Sequence, residues 1–253
     1  VTIKPYYDTY KICIVSEELD VESANLDYEK HLSLDLGIDN FAASGNDCGL
    51  APFIIKGNEI KSYNQWFNKK NAYLHSQLPK EQHSSQQIQM LWKKRNHKMT
   101  DFYNKSASFV IQYCINHKIG NLVIGKNQQW KQGIDIGRKN NQNFCYISHA
   151  HFIRKLSEMA ARYGIRVIIT EESYTSKASF LDGDMIPAYG DFMIPCFSGK
   201  RVHRGLYKSR EGILINADVN AACNILKKAV KTAFDKVSDL TYLYQTVEVY
   251  VNP

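Results

Sequence analysis

Leu32-Ser33-Leu34-Asp35-Leu36-Gly37-Ile38-Asp39 reads as a short buried strand with a carboxylate in its middle. An ionised Asp among apolar neighbours is costly unless something positive meets it. No basic residue lies within the stretch. A metal ion is one partner for Asp35. A salt bridge from a distant segment, or a strand end open to water, are the others.

Downstream, Phe41-Ala42-Ala43-Ser44 continues as a second strand. Gly45-Asn46-Asp47 reads as a turn, Pro52-Phe53-Ile54-Ile55-Lys56 as the returning strand, and Gly57-Asn58 as another turn. Three adjacent strands, the first carrying an acid, open a mixed sheet. Upstream, Thr9 to Ser16 alternates as a strand does, and the acidic residues 17–29 read as a linker. Residues 1–30, which begin with Val1 and not Met, read as the end of a preceding domain.

Residues 62–77 form a polar helix by pattern, and a longer helix is predicted over 84–117. Ile88, Leu91, Trp92, Met99, Phe102, Tyr103, Phe109, Val110, Tyr113 and Cys114 recur there by threes and fours. The opposite face carries Lys93, Lys94, Arg95, Lys98 and Lys105. From Lys69 to Lys105 there are eight Lys/Arg against two acids. Such a run is a solvated face or, being single-signed, a surface that tracks a phosphate backbone.

Gly120 to Gly125 reads as a fourth strand, followed by a polar loop with Trp130, Lys131, Arg138, Lys139 and residues 140–143. Ser148 caps a helix that Gly164 ends. Arg166-Val167-Ile168-Ile169-Thr170 is the fifth strand and runs directly into Glu171-Glu172. Residues 173–215 read as irregular, which is long for a plain connection and argues for a functional insert. Within it, residues 199–210 hold five Lys/Arg, one His and no acid. Asn216-Ala217-Asp218-Val219-Asn220 opens a last helix, predicted to reach Val237. In its first turn the helix dipole alone would favour Asp218.

The chain has 253 residues, 44% of them apolar, enough for one sizeable core. Its formal charge of +7 leans toward a polyanionic partner. Six cysteines form neither a C-x-x-C pair nor a dense disulfide framework, which fits a reducing, cytoplasmic setting. No apolar run is long enough to span a membrane, and no signal-peptide pattern opens the chain.

This element order predicts an α/β, RNase H-like fold, with a mixed five-stranded sheet flanked by helices and an irregular insert before the last helix. The acids fall on the first strand, after the last strand and on the last helix. Three pieces carry a closer likeness: Leu34-Asp35-Leu36-Gly37-Ile38-Asp39-Asn40-Phe41, Glu172-Ser173-Tyr174-Thr175-Ser176-Lys177 and Asn216-Ala217-Asp218-Val219-Asn220-Ala221-Ala222. In order and spacing they resemble the RuvC-type nuclease domain of TnpB, the transposon-encoded RNA-guided DNA endonuclease. Fanzor proteins and type V CRISPR effectors share that domain.

The resemblance implies a Mg²⁺-dependent DNA endonuclease whose partners are guide RNA and target DNA, with no membrane role. Two-metal phosphodiester hydrolysis needs carboxylates that hold two divalent ions roughly 3.5–4 Å apart. Asp35, Glu172 and Asp218 are the implied catalytic and metal-binding residues, for two Mg²⁺ or, in their place, Mn²⁺. Lys93, Lys94, Arg95, Lys98, Lys177, Lys200, Arg201 and Arg204 are the candidate nucleic-acid contacts. The domain plan that follows is a RuvC-like core over residues 31–172 with a helical insert at 62–117. An insert at 173–215 replaces the family's zinc ribbon, and 216–253 form the final helix and tail.

Two departures stand out. Many TnpB proteins place the second acid at the end of the fourth strand, which here ends in Leu122-Val123-Ile124-Gly125-Lys126 without a carboxylate. Glu172 fits a relocated position, and Glu171 is its open alternative. In the ribbon interval only Cys196 and His203 are candidate zinc ligands, too few to close a tetrahedral site, so no zinc is expected. Thr175, Ser176 and Lys177 read either as strand-end turn residues or as groups supporting the site. Asp39 reads as a turn residue or a further oxygen donor. A catalytically silent, RNA-guided DNA-binding protein is the competing reading. A guide-free RNase H-like resolvase or RNase is a third, which the Tyr-Thr-Ser-Lys stretch argues against.

Overall fold

Strand β3 (Asp27–Leu36) divides its side chains between two faces. Leu32, Leu34 and Leu36 enter the larger core, while the Ser33 hydroxyl meets the opposite layer. The computed structural model describes residues 1–16, 24–126, 147–190 and 196–251. The polar loop holding Trp130, Lys131, Arg138 and Lys139 lies outside the described residues, as does most of the acidic linker.

A hairpin of β1 (Thr2–Tyr6) and β2 (Thr9–Cys13) precedes β3, and β4 (Asn40–Asn46) and β5 (Phe53–Lys56) follow it. Next come helices α1 (Asn58–Ser76) and α2 (Gln86–Asn116), strand β6 (Ile119–Gly125), helix α3 (His149–Arg162) and strand β7 (Arg166–Thr170). The short strands β8 (Lys200–His203), β9 (Leu206–Lys208) and β10 (Leu214–Asn216) lead into α4 (Ala217–Ala229), and β11 (Val247–Val249) comes last. The main sheet has six strands in the order β11-β5-β4-β3-β6-β7. β4 runs antiparallel to both β3 and β5, while β6 and β7 run parallel to β3.

The expected five strands are all in this sheet, and β11 corrects the count. It pairs in parallel with β5, and the Lys56–Glu248 ion pair at 3.2 Å ties the two together. Three residues are too few to show a period in sequence. The insert is corrected too: β8, β9 and β10 form a three-stranded antiparallel sheet inside it. The Asp184 carboxylate fastens this region, accepting from the Ser179 and Ser198 backbone N–H groups and from the Ser198 hydroxyl at 2.6–3.1 Å.

Helices α2 and α3 cover one face of the sheet. Phe102, Val110, Cys114, Phe152 and Leu156 there meet the leucines of β3 and Leu122 and Ile124 of β6. Helix α4 covers the other face, through Val219 and Cys223 against Ala43, and Ile225 and Leu226 against Val123. The predicted Ser148 cap is present, its Oγ accepting from the His151 N–H, and Asn216 caps α4, its Oδ1 accepting from the N–H groups of Asp218 and Val219. Helix α4 stops at Ala229, not Val237, because Val230 turns extended. Phe234 still packs on Phe180, with ring centroids 4.6 Å apart, from a non-helical turn. No described helix is long and apolar enough to cross a membrane.

Candidate active site

Asp35 has the parity of Ser33 and therefore lies on the α4 side of the sheet. Helix α4 sits close to β3 and β4 because the contact is built from small residues. A Cβ added to Gly45 would lie 2.8 Å from the Cys223 nitrogen, and the Ser33 hydroxyl donates to the Ala222 carbonyl at 2.7 Å. This close packing brings the first turn of α4, with Asp218, beside the end of β3. Glu172 arrives from the end of β7 and rests against β6 where that strand has no side chain. A Cβ on Gly125 would stand 2.8 Å from Glu172 Oε2 and 2.6 Å from Ile225 Cδ1.

Asp218 and Glu172, far apart in sequence, both act on Asp35. Desolvation pushes the Asp35 carboxyl well above the usual carboxylate range, and the charges of Asp218 and then Glu172 push it further. Arg201 works in the opposite direction. Asp218 is engaged at both oxygens, by Arg201 Nη2 at 3.1 Å on Oδ1 and by Asn40 Nδ2 at 2.6 Å on Oδ2. Asp39 sits in the bend between β3 and β4, as expected of a turn residue, and lines the same cleft as Asp35 and Asp218. It pairs with Lys61 at 2.5 Å and with Arg204. Asp35, Asp218, Lys56, Lys61, Arg201 and Arg204 all line a cleft of about 620 Å³. His149 supports its floor, its Nε2 lying 2.8 Å from the Gly37 carbonyl oxygen.

Glu171 and Glu172 differ in what they touch. Burial disfavours ionised Glu171, but Lys228 and the Ser173 hydrogen bonds outweigh it and hold the carboxyl below its ordinary value. Lys228 Nζ lies 2.5 Å from Glu171 Oε2. Strand alternation does not separate the two glutamates, because β7 already ends at Thr170. They diverge along α4 instead, Glu171 toward Lys228 and Glu172 toward Ile225. The next residues turn sharply: Tyr174 has φ +68°, and the Thr175 hydroxyl donates to the Glu172 carbonyl at 2.8 Å. Thr175 is thus a turn residue. Asn220 and Asn224, one turn apart on α4, each donate to the Ala178 carbonyl at 2.8 Å and hold this turn in place.

Among the candidate nucleic-acid contacts, Arg201 and Arg204 are at the cleft, and Lys177, Lys200 and Lys94 are exposed. Lys93 pairs with Asp8, and Lys98 with Glu59. Arg95 requires a correction. It is buried between α1 and α2, bonds Asn64 through Nε at 2.8 Å and lies over the Phe67 ring at 5.3 Å. Its position continues the buried stripe of Ile88, Leu91 and Met99, which its charge concealed. Sequence reasoning missed Asn40, Lys56 and Lys61. Only their closeness to Asp39 or to a strand end pointed to them.

The donor set suits a hard divalent cation: oxygens only, and acids whose mutual repulsion a cation relieves. As the side chains stand, no three His, Cys, Asp or Glu among the described residues are gathered closely enough to hold a metal. The Arg201 guanidinium is the positive charge that meets Asp218 here. A cation at Asp218 would compete with that partner for the carboxylate.

A stability effect follows from Asp35. A carboxyl whose value is raised by folding stabilises fully below its unfolded value and loses that contribution as pH rises through the folded one. In chelator, wild type is expected to gain thermal stability as pH falls from 7 toward 5. Asp35→Asn should be more stable than wild type at pH 7 and lose that pH dependence. Denaturation curves with and without the substitution check this. An unchanged pH slope in the variant would assign the effect to other groups.

Residues 14–131 match the OrfB_IS605 family model, described as a probable transposase, and residues 149–225 match the Cas12f1-like TNB domain model. No curated protein matches the chain in sequence. Among solved structures, a Cas12f1–sgRNA–target DNA complex aligns over 84% of this chain and 52% of its own, at 18% identity and TM-score 0.58. A CRISPR–Cas12f ternary complex aligns over 83% and 41%, at 16% identity and TM-score 0.54. The AacC2c1–sgRNA–extended non-target DNA complex aligns over 72% and 22%, at 13% identity and TM-score 0.50. The chain spans about half the length of the Cas12f1 it resembles. At these identities the likeness is one of fold, the RuvC-containing fold with its sheet, flanking helices and late insert. With one model matched over its first half and the other over its second, the chain resembles the TnpB-type proteins, OrfB_IS605-like in residues 14–131 and Cas12f1 TNB-like in residues 149–225.

Proposed function

We propose that the cleft hydrolyses DNA phosphodiesters, with divalent metal held by Asp35, Glu172 and Asp218, in a protein that works with a guide RNA and a target DNA. The observation that carries this reading is the placing of Asp35 within reach of the charges of the distant Asp218 and Glu172, beside a rim of Arg and Lys. The similarity to a Cas12f1 complex containing sgRNA and target DNA supports the choice of partners. When bound, the metal supplies an activated water and neutralises charge on the leaving oxygen.

The chain's own residues do the rest. Lys56, Lys61 and Arg204 draw the phosphate backbone to the cleft. Asn40 keeps the Asp218 carboxylate oriented. Arg201, released from Asp218, presents a planar fork suited to two phosphate oxygens. Asn220 and Asn224 fix the turn that follows Glu172.

The Arg201 and Asn40 bonds to Asp218 favour a second reading, in which the cleft holds nucleic acid without cutting it. Incubation of single-stranded DNA with Mg²⁺ decides between them. Wild type is expected to cut and Asp35→Ala to lose about 100-fold or more. Metal is worth several kcal/mol in the transition state, and each 1.4 kcal/mol or so is tenfold in rate. Equal rates in the two proteins, or cutting that persists in chelator, would remove the acids from the chemistry.

A further inference from the structure

Helix α1 carries a row of aromatic side chains that the fold does not use. Its buried face is Ile60, Asn64 and Phe67. On the solvent side, Tyr63, Trp66, Lys70 and Tyr73 succeed one another by threes and fours, so they form one strip along the helix. Trp66 is 50% exposed and Tyr73 58%. The Tyr63 and Trp66 rings lie 5.4 Å apart, tilted by 33°. Cations flank the rings: Lys70 lies 5.2 Å from the Tyr73 centroid, and Lys98 of α2 lies 5.0 Å from that of Tyr63. Lys94 is exposed one turn before Lys98 on α2, and Lys69 is exposed on α1. The acid Glu59 at the head of the row is paired with Lys98.

We infer that this strip is a landing site for single-stranded DNA, outside the cleft that Asp35 and Asp218 line. Bare aromatic rings among lysines offer what an unpaired strand needs. The bases find faces to stack on, and the phosphates find positive charge without a sequence requirement. A protein partner would leave the lysine ammoniums unmatched unless it were acidic, and a duplex hides its base faces. From Tyr63 to Tyr73 the strip is about 15 Å long, room for about three bases. The same helix begins at the cleft, where Asn58 and Lys61 form part of the wall. A strand threaded to the acids therefore passes the head of α1, and this path selects DNA. That choice rests on the nuclease reading. The binding surface itself does not.

The test separates the two. Fluorescence anisotropy of labelled dT20, rU20 and a 20-base-pair DNA duplex is measured in EDTA on the whole chain carrying Asp35→Ala, so no cleavage is involved. The strip predicts dT20 binding that weakens as salt rises. Trp66→Ala and Tyr73→Ala should each weaken it about tenfold. Trp66→Phe should keep most of the affinity, because the ring is what counts. Tyr10→Ala, which removes an aromatic 74% exposed on β2, should have no effect. Affinity for dT20 unchanged in the Trp66→Ala, Tyr73→Ala double variant overturns the proposal. So does tighter binding of rU20 or of the duplex than of dT20. Failure of Mg²⁺-dependent cleavage alongside intact strip binding would discard the nuclease reading and leave the strip in place.

Discussion

Glu172→Gln is expected to lower Mg²⁺-dependent cleavage of single-stranded DNA by about 100-fold or more, and Glu171→Gln to leave the rate within a few-fold of wild type. The two glutamates are adjacent and equally acidic in composition, so only their surroundings separate them. Glu172 raises the proton affinity of Asp35 by its charge and packs into the gap above Gly125. Replacing its carboxylate with an amide of the same shape keeps the packing and removes the charge. Glu171 is tied to Lys228 and to the Ser173 N–H. Its loss breaks a partly exposed ion pair and costs about 1 kcal/mol of stability, or some 2–4 °C in melting temperature for a chain of this size. Cleavage kinetics and melting curves of both variants should therefore show opposite patterns. A rate loss confined to Glu171→Gln would move the second acid to that residue.

Phe41→Ala is the substitution expected to damage the fold most, at about 3–5 kcal/mol. Phe41 is fully buried, and its ring meets four others. Phe102 and Tyr103 come from α2, and His149 and Phe152 from α3. One side chain thus fastens both helices to β4. Its neighbour in sequence, Asn40, holds Asp218, so a loosened β4 should also weaken the cleft. Urea denaturation of the variant measures the loss, and a cost below about 1.5 kcal/mol would show that the four rings close over the gap on their own.

Much of this was legible in the residues themselves. Strand β7 was expected at 166–170 and is observed there, because a short apolar run between Gly164 and an acid pair has clear edges. Ser148 announced its helix as a local cap does. The common face of Asp35 and Ser33 followed from the two-residue period. What could not be read depends on distant partners. Asn40 meets Asp218 across 178 positions of sequence, and nothing near Asn40 points there. Arg95 looked like one more surface cation because its charge hides its place in a buried stripe. The strands β8 to β11 are each three or four residues long, too short for a period, and exist only through the partners they pair with. Glu171 and Glu172 stayed open alternatives because they lie beyond the end of β7, where no strand period separates them.

The Asp184 bonds to Ser179 and Ser198 have a practical side. They hold the region around β8 by serine hydroxyl and peptide nitrogen, groups a chelator does not strip. Protein washed free of ions should keep Arg201 and Arg204 poised at the cleft mouth. On the nuclease reading, the heat of adding magnesium back would then report the acid pocket together with the release of Arg201 from Asp218, with no refolding of the region around β8 mixed in.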